Sequence, residues 1–116
     1  MKILVVDDEK DIVENICTFL SKKGYAADSA YDGEKARALI EESKYDLVFL
    51  DYNMPGLTGL EVIEFVKKNN LDTRTVIVTA YPDMEEFFAK RLGADEYVTK
   101  PYSLQKIEQI VEKYKK

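Results

Sequence analysis

Ile3-Leu4-Val5-Val6-Asp7-Asp8 sets four apolar residues, without polar alternation, directly before two carboxylates. A bare run of this kind reads as a parallel strand covered on both faces, with the charge at its carboxyl end. The pattern recurs downstream, where Leu47-Val48-Phe49-Leu50 runs out into Asp51 and Val76-Ile77-Val78 into Thr79. Two weaker strands, Tyr25 to Ala30 (interrupted by Asp28) and Glu96 to Thr99, carry the polarity of sheet edges, where charge blocks edge-to-edge pairing.

Helical patterns fill the intervals. Ile12, Val13, Ile16, Cys17 and Leu20 repeat at helical spacing, and Gly24 stands where a chain leaves a helix in the left-handed region. Asp32-Gly33 opens a second helix bearing Ala36, Leu39 and Ile40, with Asp32 as its N-cap. A third bears Leu60, Ile63 and Val66; a fourth, Asp83 to Leu92, ends at Gly93 and presents Met84, Phe87, Phe88 and Leu92. A fifth, from Ser103, presents Ile107, Ile110, Val111 and Tyr114. Connections are short, and neither a linker nor an internal repeat interrupts them.

Five strands alternating with five helices predict an α/β sandwich with right-handed crossovers. Barest strands central and polar ones at the edges give a five-stranded parallel sheet of order 2-1-3-4-5. The 116 residues are expected to form one domain, 1–116, with no room for a second.

Composition removes several kinds of chemistry. Without histidine there is no Ser-His-Asp or Cys-His machinery and no imidazole metal ligand. Cys17, alone, makes neither an internal disulfide nor a CxxC zinc site, and favours an intracellular, cytoplasmic location. No apolar run approaches the roughly 18 residues needed for membrane insertion, and charge follows the first strand too soon for a signal peptide. A net charge of −5 argues against nucleic acid as a direct partner.

What remains is carboxylate, amine, hydroxyl and backbone. In the expected sheet the winding reverses between the first and third strands, and ligands bind beyond the strand ends there. Asp7, Asp8 and Asp51 therefore converge on one crevice. Each alone is an ordinary strand exit or helix cap. Together, like charges about 4 Å apart cost on the order of 4 kcal/mol at an effective dielectric near 20, so they require a cation. Oxygen ligands favour a hard ion such as Mg²⁺. Thr79 and Lys100 close the fourth and fifth strands on the same edge. Singly they read as a β-former and a surface lysine; around a metal-flanked Asp51 they describe an anion-transfer site with a carboxylate nucleophile.

These motifs resemble the response-regulator receiver domain of two-component signalling, a flavodoxin-like, CheY-like fold, from Ile3 to about Tyr114. Val5 to Glu9 resembles that family's acidic pair. Leu50-Asp51-Tyr52-Asn53-Met54-Pro55-Gly56 with Gly59 resembles its phosphoacceptor loop, and Thr79-Ala80 its hydroxyl position. Gly93 to Tyr102 resembles the segment holding its switch aromatic and lysine-proline pair.

The resemblance implies that Asp51 accepts a phosphoryl group from a phosphohistidine on a sensor histidine kinase or histidine phosphotransferase. It implies Mg²⁺, with Mn²⁺ as a substitute, held by Asp8 and Asp51 directly, by Asp7 through water and by the Asn53 backbone carbonyl. Lys100 would pair with the phosphoryl oxygens, Thr79 would swing towards them, and Tyr97 would turn from exposed to buried. The Lys100-Pro101 bond is expected to be cis. The output would be a changed face of fourth helix, fifth strand and fifth helix, read by a downstream protein in a chemotaxis-type complex or a phosphorelay. Such a chain is a signalling phosphoacceptor, catalysing only its own phosphoryl transfer and autodephosphorylation.

Smaller features are read alongside. Tyr81 either shields the acyl phosphate or packs at a helix entry. One of Phe87 and Phe88 belongs to the core, and the other suits a partner patch. Lysines 113, 115 and 116 read as helix-dipole partners and solvation. Three rivals share the residues or the fold. An aspartate-nucleophile phosphatase would want a second acid where Asn53 stands, and a flavin module would want a phosphate loop where Asp7-Asp8-Glu9 repel phosphate. A degenerate receiver would have lost some of Asp7, Asp8, Asp51, Thr79 and Lys100, all of which are present.

Overall fold

A computed structural model describes residues 1–51, 59–69, 72–79, 91, 93–100 and 103–115. Five strands, β1 (Lys2–Val6), β2 (Ala26–Ala30), β3 (Leu47–Asp51), β4 (Arg74–Thr79) and β5 (Glu96–Thr99), form one parallel sheet of order β2-β1-β3-β4-β5. The expected order holds, and burial explains it. Every residue of β3 is buried, as are Ile3 to Val6 of β1 and Thr75 to Thr79 of β4, whereas Asp28 of β2 and Thr99 of β5 are exposed. Apolar density thus sets position in the sheet.

Helices cover both faces, giving the flavodoxin-like three-layer sandwich. Helix α1 (Lys10–Lys22) and the last helix, α4 (Leu104–Tyr114), bury Val13, Ile16, Leu20, Ile107, Ile110 and Val111 against one face. Helices α2 (Gly33–Glu42) and α3 (Gly59–Lys68) bury Ala36, Ile40, Val62, Ile63 and Val66 against the other. The fourth helical stretch of the sequence, 83–92, lies outside the described residues except for the helical Arg91, so the readings of Tyr81, Phe87 and Phe88 lie there too.

The helix ends follow their chemistry. Asp32 accepts a hydrogen bond from the Lys35 amide at 2.7 Å, and Ser103 accepts one from the Lys106 amide at 3.1 Å. Gly24 leaves α1 at φ 93°, in the left-handed region. Tyr25, expected in the second strand, belongs to this turn instead, because its amide donates to the Leu20 carbonyl at 3.1 Å. Lys113 is more than a solvated dipole partner: its ammonium lies 2.7 Å from the Glu96 carboxylate, joining α4 to β5.

One buried residue had no periodic signal. Tyr45, 1% exposed between α2 and β3, donates its hydroxyl to Asp28 Oδ2 at 2.7 Å, while Thr73 donates to its carbonyl at 2.8 Å. We predict that Tyr45→Phe lowers stability by about 1 kcal/mol, the net value of such a hydrogen bond. Phe49→Ala, in the middle of β3, should cost about 3–5 kcal/mol. Urea unfolding checks both, and equal losses would contradict this ranking.

Candidate functional site

The site grows out of three strand ends. The Asp7 amide donates to the Ala30 carbonyl at 3.2 Å, extending β1 against β2 by one residue. Its carboxylate is turned by the Glu9 amide, which donates to Asp7 Oδ1 at 3.0 Å. Helix α1 takes Glu9 at its N-cap position without a side-chain cap bond, so Asp7 and Asp8 do not serve as that cap. Asp51 is the last residue of β3, the central strand next to β1.

Adjacent strand ends bring the carboxylates together. One oxygen each from Asp7, Asp8 and Asp51 lies within 4.8 Å of the others, and among the described residues this trio could hold a metal ion. Asp8 is exposed, but Asp7 and Asp51 are only 3% and 6% exposed. Two buried anions need compensation.

Lys100 supplies it. Its backbone amide donates to the Thr79 carbonyl at 2.6 Å, carrying the β4–β5 pairing one residue past β5. From that anchor the ammonium reaches Asp7 Oδ2 and Asp51 Oδ1, each at 3.2 Å. Sequence reasoning placed Lys100 beside Asp51; its equal contact with Asp7 emerges only from the fold. Burial alone would depress the Lys100 ammonium, but Asp51 and Asp7 outweigh it and hold its pKa above the ordinary value.

Asp51 carries the opposite imbalance. Burial first, then the charge of Asp7, push its carboxyl up to about 6, against the opposing pull of Lys100. A carboxylate so placed lacks positive charge. The donor set, three carboxylates and no imidazole, matches a hard divalent ion.

The remaining expected residues lie around this centre. Thr79, 1% exposed, ends β4. Tyr97 of β5, in register with Ile77 of β4, is half-buried against the core that includes Ile77. Asn53 and the Lys100-Pro101 bond lie outside the described residues. Gly59 was legible only as part of a motif, yet the first turn of α3 presses it onto the Asp51 carbonyl.

A family model described as the response regulator receiver domain matches residues 3–112. The chain belongs to that family. Among similar curated proteins, the transcriptional regulatory protein DltR of Streptococcus agalactiae is 41% identical over 103 residues, 88% of this chain and 46% of that protein. The regulatory protein VanRc of Enterococcus gallinarum is 36% identical over 102 residues, 88% of this chain and 44% of that protein. This receiver domain thus spans less than half the length of the curated relatives it matches. The receiver domain of the Francisella response regulator 1452 superposes with a TM-score of 0.91 at 32% identity, covering 97% of this chain and 94% of that one. The response regulator TrrA of Thermotoga maritima, solved in complex with Mg²⁺-BeF, superposes with a TM-score of 0.86 at 38% identity, covering 97% of both chains.

The Asp51 imbalance predicts a pH dependence for the metal-free receiver. Its carboxyl titrates near 3.8 when unfolded and about 6 when folded, so the native state binds more protons across that window. Stability from this group is therefore lost as pH rises through it, on the order of 3 kcal/mol in total. In EDTA, Asp51→Asn should gain stability relative to wild type between about pH 4 and pH 7. Urea unfolding at several pH values reads the difference, and a constant gap would contradict the assignment.

Proposed function

We propose that this receiver domain is a phosphorylation-activated switch, with Asp51 as phosphoacceptor. The observation that carries the reading is the buried Asp51 carboxylate, 3.2 Å from Lys100 and grouped with Asp7 and Asp8. An Asp51 oxygen attacks the phosphorus of a phosphohistidine on a sensor histidine kinase or histidine phosphotransferase. The P–N bond breaks as the P–O bond forms, and the departing imidazole takes up a proton. No side chain of this histidine-free chain is needed to donate in place of that partner.

A divalent ion, Mg²⁺ or Mn²⁺, would supply charge neutralisation for the incoming oxygens. Asp8 and Asp51 would hold it directly, Asp7 through water, and Asn53 through its backbone carbonyl. That the similar TrrA was solved in complex with Mg²⁺-BeF supports a reading in which this chain takes a divalent ion and a phosphoryl-like group.

The phosphoryl group adds roughly −1.5 to −2 charge. Lys100, already shared by two carboxylates, turns to the new oxygens, and the Thr79 hydroxyl moves towards them from the end of β4. Tyr97, half-buried on the neighbouring strand, follows into the space Thr79 leaves. The changed face then comprises the 83–92 stretch, β5 and α4. A near-complete switch requires about 5.5 kcal/mol of differential stabilisation, within reach of two or three charge-assisted contacts. The receiver thereby controls a protein partner and binds no nucleic acid itself, consistent with its charge of −5. The names of its longer relatives, regulatory and transcriptional regulatory protein, fit such a control role.

Intact-mass spectrometry with a small acyl-phosphate donor and Mg²⁺ tests the reading. Wild type should gain one phosphoryl mass, EDTA should abolish the gain, and Asp51→Asn should show none. Lys100→Met should slow uptake on the order of 100-fold, as loss of one charge-stabilising donor typically does. Uptake by Asp51→Asn at the wild-type rate would sink the assignment.

A further inference from the structure

Gly59 opens α3, and its surroundings leave no room for a side chain. A Cβ built there would lie 2.8 Å from the Asp51 carbonyl oxygen, 3.4 Å from the Asp51 carbonyl carbon and 3.3 Å from Ile77 Cδ1. Side-chain contacts do not occur at the first of these distances, so something must give.

The neighbours decide what gives. Ile77 is fully buried and has nowhere to retreat. Helix α3 is held down by Val62, Ile63 and Val66, each 0% exposed, so lifting it would open a cavity beneath three core residues. Asp51 is the softer element, because it is the terminal residue of β3. The displacement would fall on the residue whose carboxylate meets Lys100 at 3.2 Å and shares the cluster with Asp7 and Asp8.

We propose that Gly59 is a positioning residue for Asp51: by carrying no side chain, it lets α3 abut the Asp51 carbonyl and so sets where the carboxylate stands in the crevice. The inference rests on the reading of Asp51 as a metal-binding phosphoacceptor. An octahedral Mg²⁺ demands ligand distances of about 2.0–2.1 Å, and productive sites tolerate only ~0.5 Å of error. The flexible Lys100 stem can follow a displaced carboxylate; a metal shared by two strand ends cannot. Gly59 therefore acts on metal affinity more strongly than on the ion pair.

The test compares Gly59→Ala with Gly93→Ala. Gly93 has φ 104°, and its Cβ would meet the Lys67 stem at 2.5 Å, so that variant is also destabilised, but away from the carboxylates. Both are folded in sucrose, which favours the compact state, and titrated with Mg²⁺ by calorimetry. Gly59→Ala should bind Mg²⁺ at least tenfold more weakly than wild type, and Gly93→Ala with unchanged affinity. Adding Ile77→Val to Gly59→Ala should not restore binding, because the Asp51 contact remains.

Equal affinities for all three chains would overturn the inference, as would full rescue by Ile77→Val. A Gly59→Ala chain that stays unfolded in sucrose would also overturn it, assigning the glycine to the fold and not to the site. The wild-type titration separates this inference from the reading beneath it. If wild type binds no Mg²⁺, that reading fails, and a metal-free crystal structure of Gly59→Ala decides the inference. An Asp51 carbonyl displaced by about 0.5 Å within β3 supports it, and an unmoved strand with α3 displaced refutes it.

Discussion

Two buried carboxylates repel one another at the ends of adjacent strands, and among the described residues the Lys100 ammonium holds them together. Lys100 stands 3.2 Å from Asp7 and 3.2 Å from Asp51, and neither anion is more than 6% exposed. Removing that ammonium would leave both anions uncompensated in a low-dielectric place. The fold is arranged so that this meeting occurs. Parallel strands deliver Asp7 and Asp51 to the same edge, and the β4–β5 pairing carries Lys100 there through its amide bond to Thr79. Lys100 serves two anions at once, however, and the carboxyl of Asp51 remains pushed up to about 6. Among the described residues the site is short of positive charge, which is the physical basis for proposing a divalent ion within it.

Much of this architecture was legible because its determinants are local. Bare runs at 3–6, 47–50 and 76–78 gave the central strands, and the polar runs gave the edges. Asp32 and Ser103 cap helices through their own side chains, a property of a few consecutive residues. The convergence of Asp7, Asp8 and Asp51 followed from strand order alone, since each stands at the end of a strand or just past it.

What could not be read depends on contacts between distant segments. Tyr45 lies in a polar connection, and its burial arises because Asp28, 17 residues earlier, accepts its hydroxyl. Lys113 looked like a solvated helix terminus until β5 brought Glu96 to it. Gly59 could be read only as part of a motif, because what matters is how closely α3 approaches Asp51, a distance that no pattern encodes. The same limit hid the second partner of Lys100, since nothing local says that a residue after the fifth strand will bridge the first and the third.

Asp7, Asp8 and Asp51 form an acidic cluster that could hold a divalent cation beside Lys100. The most direct measurement is a crystal structure of the receiver grown with Mn²⁺, located by its anomalous scattering. The account predicts one strong peak within direct bonding distance of Asp8 and Asp51, with Lys100 drawn away from at least one of its two carboxylates. Absence of a peak at the crevice, with Lys100 still bridging Asp7 and Asp51, would contradict it.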